Sequence, residues 1–217
     1  MVFADRSDAG RQLAEELRGF CIEHPAVLGL ARGGVPVAAA VARELDAPLD
    51  VLVVRKLGCP GQPELGIGAV GELGVTVLNS KLIAKLGLSD EQVEQIAERE
   101  GAEVDRRVAR YRRSMSPVKL QGRTAILVDD GLATGFTAGA AVGVVRRLEA
   151  ARVVLAVPVA PRQAVTSLEE IADQVVVLQI PPDFMAVGQW YRDFTQVSDE
   201  EVAALVASGP SEQAGKH

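Results

Sequence analysis

The sequence predicts an α/β fold built on a doubly wound, mainly parallel sheet, and three observations carry that prediction. Short apolar runs recur at 26–30, 51–54, 125–128, 153–157 and 175–178. They are continuous rather than alternating, as strands covered on both faces are. Amphipathic stretches fall near 6–20, 35–45, 137–149 and 161–172, so strand and helix alternate along the chain. At 217 residues, with 48% apolar and 24% charged side chains, there is material for one sizeable core. In such sheets ligands sit at the carboxyl ends of the strands.

From the amino end, Met1 to Arg6 runs straight into charges without the apolar stretch of a secretion signal. No segment approaches the ~20 apolar residues of a membrane span, so a cytoplasmic protein without a membrane partner is expected. A net charge of −6 opposes broad attraction to nucleic acid. Cys21 and Cys59 show neither metal-ligand nor disulfide spacing and read as free thiols. With only His24 and His217 available, a Cys/His metal site is excluded. A long helix is predicted over 90–113, with Ser89 as its cap, acids in its first turn and arginines in its last. Residues 106–123 hold seven basic residues and no acid. This segment is either a solvated, dipole-matched helix end or a phosphate or dimer contact. Residues 208–217 read as a loose tail.

The chemistry concentrates in thirteen residues, Ala125 to Thr137. A buried strand ends at Val128, Asp129 and Asp130 follow at its tip, Gly131 to Gly135 form a tight turn, and a helix begins around Thr137. Free N–H groups at such a turn, with the helix dipole behind them, hold a phosphate without lysine. Ala133, Thr134, Gly135, Phe136 and Thr137 form the loop, and the two threonines add hydroxyl donors. Two adjacent carboxylates would repel a bare anion. They suit a sugar phosphate, accepting from the ribose diol while Mg²⁺ offsets their charge.

A second anion-binding turn follows the first strand, at Arg32, Gly33 and Gly34, with Pro36 placed for the first turn of a helix. Arg55 and Lys56 follow the second strand and place two cations at the same sheet edge. Residues 58–74 are rich in Gly and Pro and contain Gly66-Ile-Gly-Ala-Val-Gly71. This formal dinucleotide fingerprint follows no predicted strand and leads into Val75 to Leu78 rather than a helix, so dinucleotide binding is rejected. Its acids, Glu64 and Glu72, are either bases or solvated loop carboxylates. Phe184, Trp190, Tyr191 and Phe194 are four of the eight aromatic residues. They either stack on a planar acceptor or cap the sheet as core.

Residues 125–137 resemble the phosphoribosyl-diphosphate (PRPP) signature of type I phosphoribosyltransferases. The resemblance implies that Asp129 and Asp130 bind the ribose hydroxyls and that residues 133–137 bind the 5′-phosphate. Arg32, Gly33 and Gly34 match the pyrophosphate loop, where a non-proline cis peptide is expected near Arg32-Gly33. Residues 57–78 resemble a mobile loop that closes over the diphosphate, and 180–197 a hood that recognises the acceptor. The implied protein is one domain over 1–207 with its core at 26–178, Mg²⁺-dependent and homodimeric. It transfers phosphoribosyl from PRPP to a nitrogenous acceptor, with Asp129, Asp130, Arg55 and Lys56 as catalytic groups. Ala133 departs from the aspartate of hypoxanthine-guanine enzymes, and Phe136 is bulkier than the usual small residue. Both leave the acceptor open. A non-catalytic PRPP-responsive regulator is the main rival, and a metal-dependent hydrolase the weaker one.

Overall fold

A computed structural model describes residues 2–113 and 115–210. The side chain of Glu64 and most of the expected tail, 211–217, lie outside the described residues. The chain runs α1 (Arg6–Leu17), β1 (Pro25–Leu30), α2 (Gly34–Glu44), β2 (Leu49–Leu52), β3 (Val54–Cys59), β4 (Gln62–Gly71), β5 (Thr76–Leu78), α3 (Ser80–Leu86) and α4 (Asp90–Arg112). It continues β6 (Thr124–Val128), α5 (Phe136–Arg147), β7 (Arg152–Val159), α6 (Arg162–Glu169), β8 (Gln174–Gln179) and α7 (Asp199–Ser208).

Five strands form a parallel sheet in the order β2-β1-β6-β7-β8. Alternate residues of each strand feed opposite cores, as the two-residue strand period requires. Val27, Ile126, Val128 and Val154 pack with Leu13 and Leu17 of α1 and Val37 and Val41 of α2. Leu28, Leu127, Val153 and Leu155 pack with Ala138 and Val142 of α5 and Leu168 of α6. The sheet is therefore wound on both faces, as the continuous apolar runs predict. The strand order reverses between β1 and β6, so the loops that leave these two strands open onto the same crevice.

The stretch expected as a mobile loop is instead an antiparallel sheet, β3-β4-β5. Its glycines mark close strand contact rather than an irregular path. A Cβ at Gly68 would lie 2.3 Å from the Val77 carbonyl oxygen, and one at Gly58 would lie 2.7 Å from that of Pro63. The Gly66 to Gly71 fingerprint thus sits inside β4, after strand β3, where the sequence predicted no strand. Cys59, expected as a loop thiol, is buried with Leu57 and Ile67.

The second strand also ends earlier than expected. β2 stops at Leu52, and Arg55 and Lys56 belong to β3 of the small sheet. The apolar run 51–54 crosses from one sheet to the other, and no local signal marks the crossing. Helix α4 has the Ser89 cap, completed as a capping box by Gln92. It packs Val93, Ile96 and Val104 on the small sheet and α7. Its arginines are drawn into internal pairs: Arg106 and Arg107 with Glu103, and Arg110 with Asp199. No helix among the described residues is long and apolar enough to cross a membrane.

Candidate active site

Strand β6 is buried along its whole length, which delivers Asp129 and Asp130 to the sheet edge at the switch point. The backbone N–H of Asp130 donates to Asp129 Oδ1 at 2.9 Å. Burial and the neighbouring carboxylate push the Asp129 carboxyl well above the usual range. Asp130 is also raised by burial, with Arg6 opposing the shift. Beyond the pair, Gly135 adopts φ +80, a left-handed conformation that glycine takes without strain. It starts α5 one residue earlier than expected, and no side chain caps that terminus. The first N–H groups of α5 are thus left without a side-chain acceptor beside Thr134 and Thr137.

The Arg32 turn faces this loop directly. A Cβ at Gly33 would sit 2.0 Å from Asp130 Oδ2, and one at Gly34 would sit 2.5 Å from the Val128 carbonyl oxygen. Only glycine permits this approach. The cis peptide is Ala31-Arg32, one bond before the expected position. Arg32 NH1 lies 3.6 Å from Asp199 at the start of α7.

Residues outside both motifs complete the surroundings of the acid pair. Arg6 donates through Nε to Asp130 Oδ2 at 2.9 Å and through NH1 to the Thr195 carbonyl at 2.9 Å. Its guanidinium carbon lies 4.0 Å from the Phe194 ring centroid, within cation–π range. The Tyr191 hydroxyl donates to the Asp130 carbonyl at 2.6 Å, and burial raises its pKa. The Tyr191 ring stacks on Phe194 at 5.1 Å and meets Phe3 at a tilt at 5.4 Å between centroids. It holds the 190–195 segment to the acid pair. Phe184 and Trp190 are half-buried, and Trp190 Nε1 is buried without a partner. Sequence reasoning missed Arg6. Its signal was a cation in the first turn of a helix, the end where the dipole disfavours positive charge.

Other expected site residues are placed elsewhere. Arg55 is bound through Nε and NH2 to Glu100 of α4, at 3.0 and 2.8 Å. Lys56 is exposed on the same strand, and neighbours along a strand point to opposite faces. Both border a cavity of about 390 Å³ that is lined with Arg99 and Glu100 rather than with the acid pair. Glu72 is not a loop base. It is buried, accepting from the Val53 N–H at 3.0 Å and from Arg112 at 2.7 Å. Arg112 also donates to Asp50 at 3.0 Å. This buried triad rivets the small sheet to β2 and α4.

A cavity of about 480 Å³ opens beside Ala133, Thr134 and Phe136, with Asn79, Gln163 and Ser167 among its polar lining. Among the described residues no group of three or more His, Cys, Asp or Glu is poised to hold a metal. Two carboxylates alone match Mg²⁺ held mainly by substrate oxygens and water, so Asp129 and Asp130 fit that ion and not a closed protein cage.

By class, this is a doubly wound α/β protein with two glycine-containing turns meeting at its switch point. The phosphoribosyl transferase domain model matches residues 5–194, and the chain belongs to that family. Its fold is that of the type I phosphoribosyltransferases. The crystal structure of a Thermus thermophilus protein is similar at 47% identity and a TM-score of 0.82, covering 95% of this chain and 98% of that one. A Mycobacterium tuberculosis protein named provisionally as a phosphoribosyl transferase is 51% identical over 205 residues, or 94% of this chain. The chain spans about half the length of that relative, 46%. A Neisseria gonorrhoeae protein crystallised with ppGpp shares the fold alone, at 12% identity and a TM-score of 0.51.

Proposed function

We propose that the protein transfers the phosphoribosyl group from PRPP to a nitrogenous acceptor, a nucleobase by preference, and releases pyrophosphate. The observation that carries this reading is the Asp129-Asp130 pair pressed against Gly33-Gly34 beside the uncapped N-terminus of α5. A phosphate held by residues 133–137 directs the ribose diol back toward the two acids. The diphosphate then falls on the Arg32 turn.

Catalysis is electrostatic and positional. Asp129 and Asp130 accept from the ribose hydroxyls and steady positive charge at the sugar as the bond to diphosphate breaks. Arg32 and the backbone N–H groups of its turn receive the leaving diphosphate. Arg55, paired with Glu100, and Lys56 stand on β3 as further candidate cations for the diphosphate. Mg²⁺, when bound, neutralises charge on the leaving oxygens. No covalent nucleophile is required. Phe184, Trp190 and Tyr191 belong to the acceptor side, where Tyr191 positions and the other two offer ring surface. Glu64 is kept as a candidate for proton transfer, on strand β4 rather than in a loop. A homodimer follows from the resemblance and is testable by sedimentation.

A second reading, a non-catalytic PRPP-responsive regulator, draws support from the engagement of Asp130 by Arg6. The experiment measures pyrophosphate release from PRPP and Mg²⁺ across purines, pyrimidines and small amines, with Asp130→Ala as control. Product with one acceptor, lost in the variant, supports transfer. Binding without product supports regulation, acceptor-free phosphate release supports a hydrolase, and unchanged turnover in Asp130→Ala rejects the site.

A further inference from the structure

The cavity of about 480 Å³ beside Ala133 does not end at the turn it borders. It runs down the flank of α5 to Gly139 and along α6 to Ile171, with Asn79 on its small-sheet side. Neither acid of the pair lines it, nor does Arg32. Among its described lining residues there is no Asp, Glu, Lys, Arg or His, in a chain in which 24% of side chains are charged. Its polar groups are neutral and only partly used. Asn79 Oδ1 accepts the Leu82 N–H at 3.1 Å, which identifies that atom as oxygen and leaves the amide NH2 as a donor. Ser167 Oγ donates to the Gln163 carbonyl at 3.1 Å and keeps its lone pairs. The Gln163 side-chain amide has no hydrogen-bond partner among the described residues. Half-buried Phe136 adds aromatic surface.

Gly139 bears on whether this space is meant to be filled. Glycine inside a helix costs stability relative to alanine. A Cβ at Gly139 would meet Ile171 Cδ1 at 3.6 Å, an ordinary contact, whereas one at Gly143 would lie 2.8 Å from Val75 Cγ1. Packing within the protein accounts for glycine at 143 and not at 139. An occupant lying against the α5 backbone accounts for it.

We propose that this cavity binds an uncharged, planar heterocyclic amide of the nucleobase class, as free base or nucleoside, at a site separate from those of donor and acceptor. A ring amide brings a carbonyl for the Asn79 NH2 and an N–H for Ser167 Oγ, while Gln163 supplies either a donor or an acceptor. Its ring lies on apolar and aromatic surface, the usual make-up of a small-molecule site. The choice of a neutral ligand rests on the reading of residues 133–137 as the donor's phosphate loop. With the first N–H groups of α5 taken by that phosphate, an anion in the cavity finds no counter-charge, and burying an unpaired charge is costly. The walls shared with the loop make this an effector position.

Equilibrium dialysis with labelled uracil, hypoxanthine and their ribonucleosides tests the site, with and without saturating ribose 5-phosphate, which offers the loop a phosphate and has no diphosphate to lose. Orotate, the carboxylated counterpart of uracil, is the anionic probe. Gly139→Leu fills the cavity, Gln163→Ala removes a polar contact at an exposed position, and Phe184→Ala alters the acceptor side instead. The expected result is that a neutral base or nucleoside binds and stays bound with ribose 5-phosphate present, while orotate binds more weakly by about tenfold or more. Gly139→Leu weakens the neutral ligand by more than about tenfold and Gln163→Ala by several-fold, and Phe184→Ala leaves it unchanged. Should Gly139→Leu fail to melt cooperatively, Gln163→Ala decides. The proposal is overturned by absence of binding, by binding that survives both cavity variants, by loss in Phe184→Ala, by displacement with ribose 5-phosphate, or by orotate binding equally well. Absence of binding by both ribose 5-phosphate and PRPP in calorimetry rejects the donor reading, and the variants and orotate then decide the cavity alone.

Discussion

Gly33 and Asp130 touch so closely that a methyl group on the glycine would lie 2.0 Å from the carboxylate Oδ2. The Arg32 turn and the acid pair are thus one packed unit. Gly33→Ala must push Asp130 out of place or open the turn. We expect PRPP binding weakened by more than about tenfold, which corresponds to about 1.4 kcal/mol, with the fold retained. Calorimetric titration checks this, and an unchanged dissociation constant removes the close approach from the mechanism.

Arg112 joins Asp50 and Glu72 in a buried triad. Removing the cation leaves two carboxylates in the interior without compensation. Arg112→Met is expected to destabilise the protein by about 3–5 kcal/mol. Urea unfolding measures the loss, and a cost under about 1 kcal/mol, the range of a surface pair, would show that the triad is solvated.

Asp199 gathers the Tyr111 hydroxyl and Arg110 Nη1 at 2.7 Å each, with Arg32 at 3.6 Å. The Tyr111 hydrogen bond, and then the Arg110 and Arg32 charges, hold its carboxyl below the usual range. A group depressed on folding stabilises fully above its unfolded pKa, about 3.9, and loses that contribution as pH falls through the folded value. The stability gap between wild type and Asp199→Asn should therefore stay constant from neutrality to about pH 5 and shrink below about pH 4. Denaturation at several pH values tests the window, and a gap that closes near neutrality contradicts it.

Asp199 also competes with anions for Arg32. Asp199→Asn is expected to tighten pyrophosphate binding by a few-fold, by removing a like charge from beside the diphosphate turn. A weaker affinity, read by competition against PRPP, would mean that Asp199 chiefly holds Arg32 in its working position.

Tyr191→Phe removes the hydrogen bond to the Asp130 carbonyl and leaves the ring between Phe3 and Phe194. A loss of about 0.5–1.5 kcal/mol is expected, read from the shift in the thermal midpoint. A neutral change would assign the anchoring of the segment to ring packing alone.

The parallel sheet was legible because burial on both faces leaves continuous apolar runs. Ser89 and the acidic first turn announced α4 because capping is local chemistry. The small sheet was not legible. Glycines at 58, 66, 68 and 71 look like a loop in one dimension, and only the fold reveals the close approach of Gly58 and Gly68 to neighbouring strands and of Gly71 to Val144 of α5. Arg55 and Lys56 were joined to the wrong sheet because nothing local distinguishes Val54 of β3 from Leu52 of β2. Helix α7 was not legible although Ser198 caps it, because its ten residues carry no clear one-sided apolar stripe.

The sequence by itself determined the doubly wound sheet, the tight turn after β6 and the paired acids at its start. Each depends on residues a few positions apart, where periodicity and turn chemistry operate. Only the tertiary structure decided what encloses those acids, Gly33 against Asp130, Arg6 from the start of α1 and Tyr191 from the far end of the chain, and that Glu72 is withdrawn from them into a buried triad. These partners lie 40 to 124 positions apart. Long-range ion pairs of this kind are set by packing, and no local pattern encodes them.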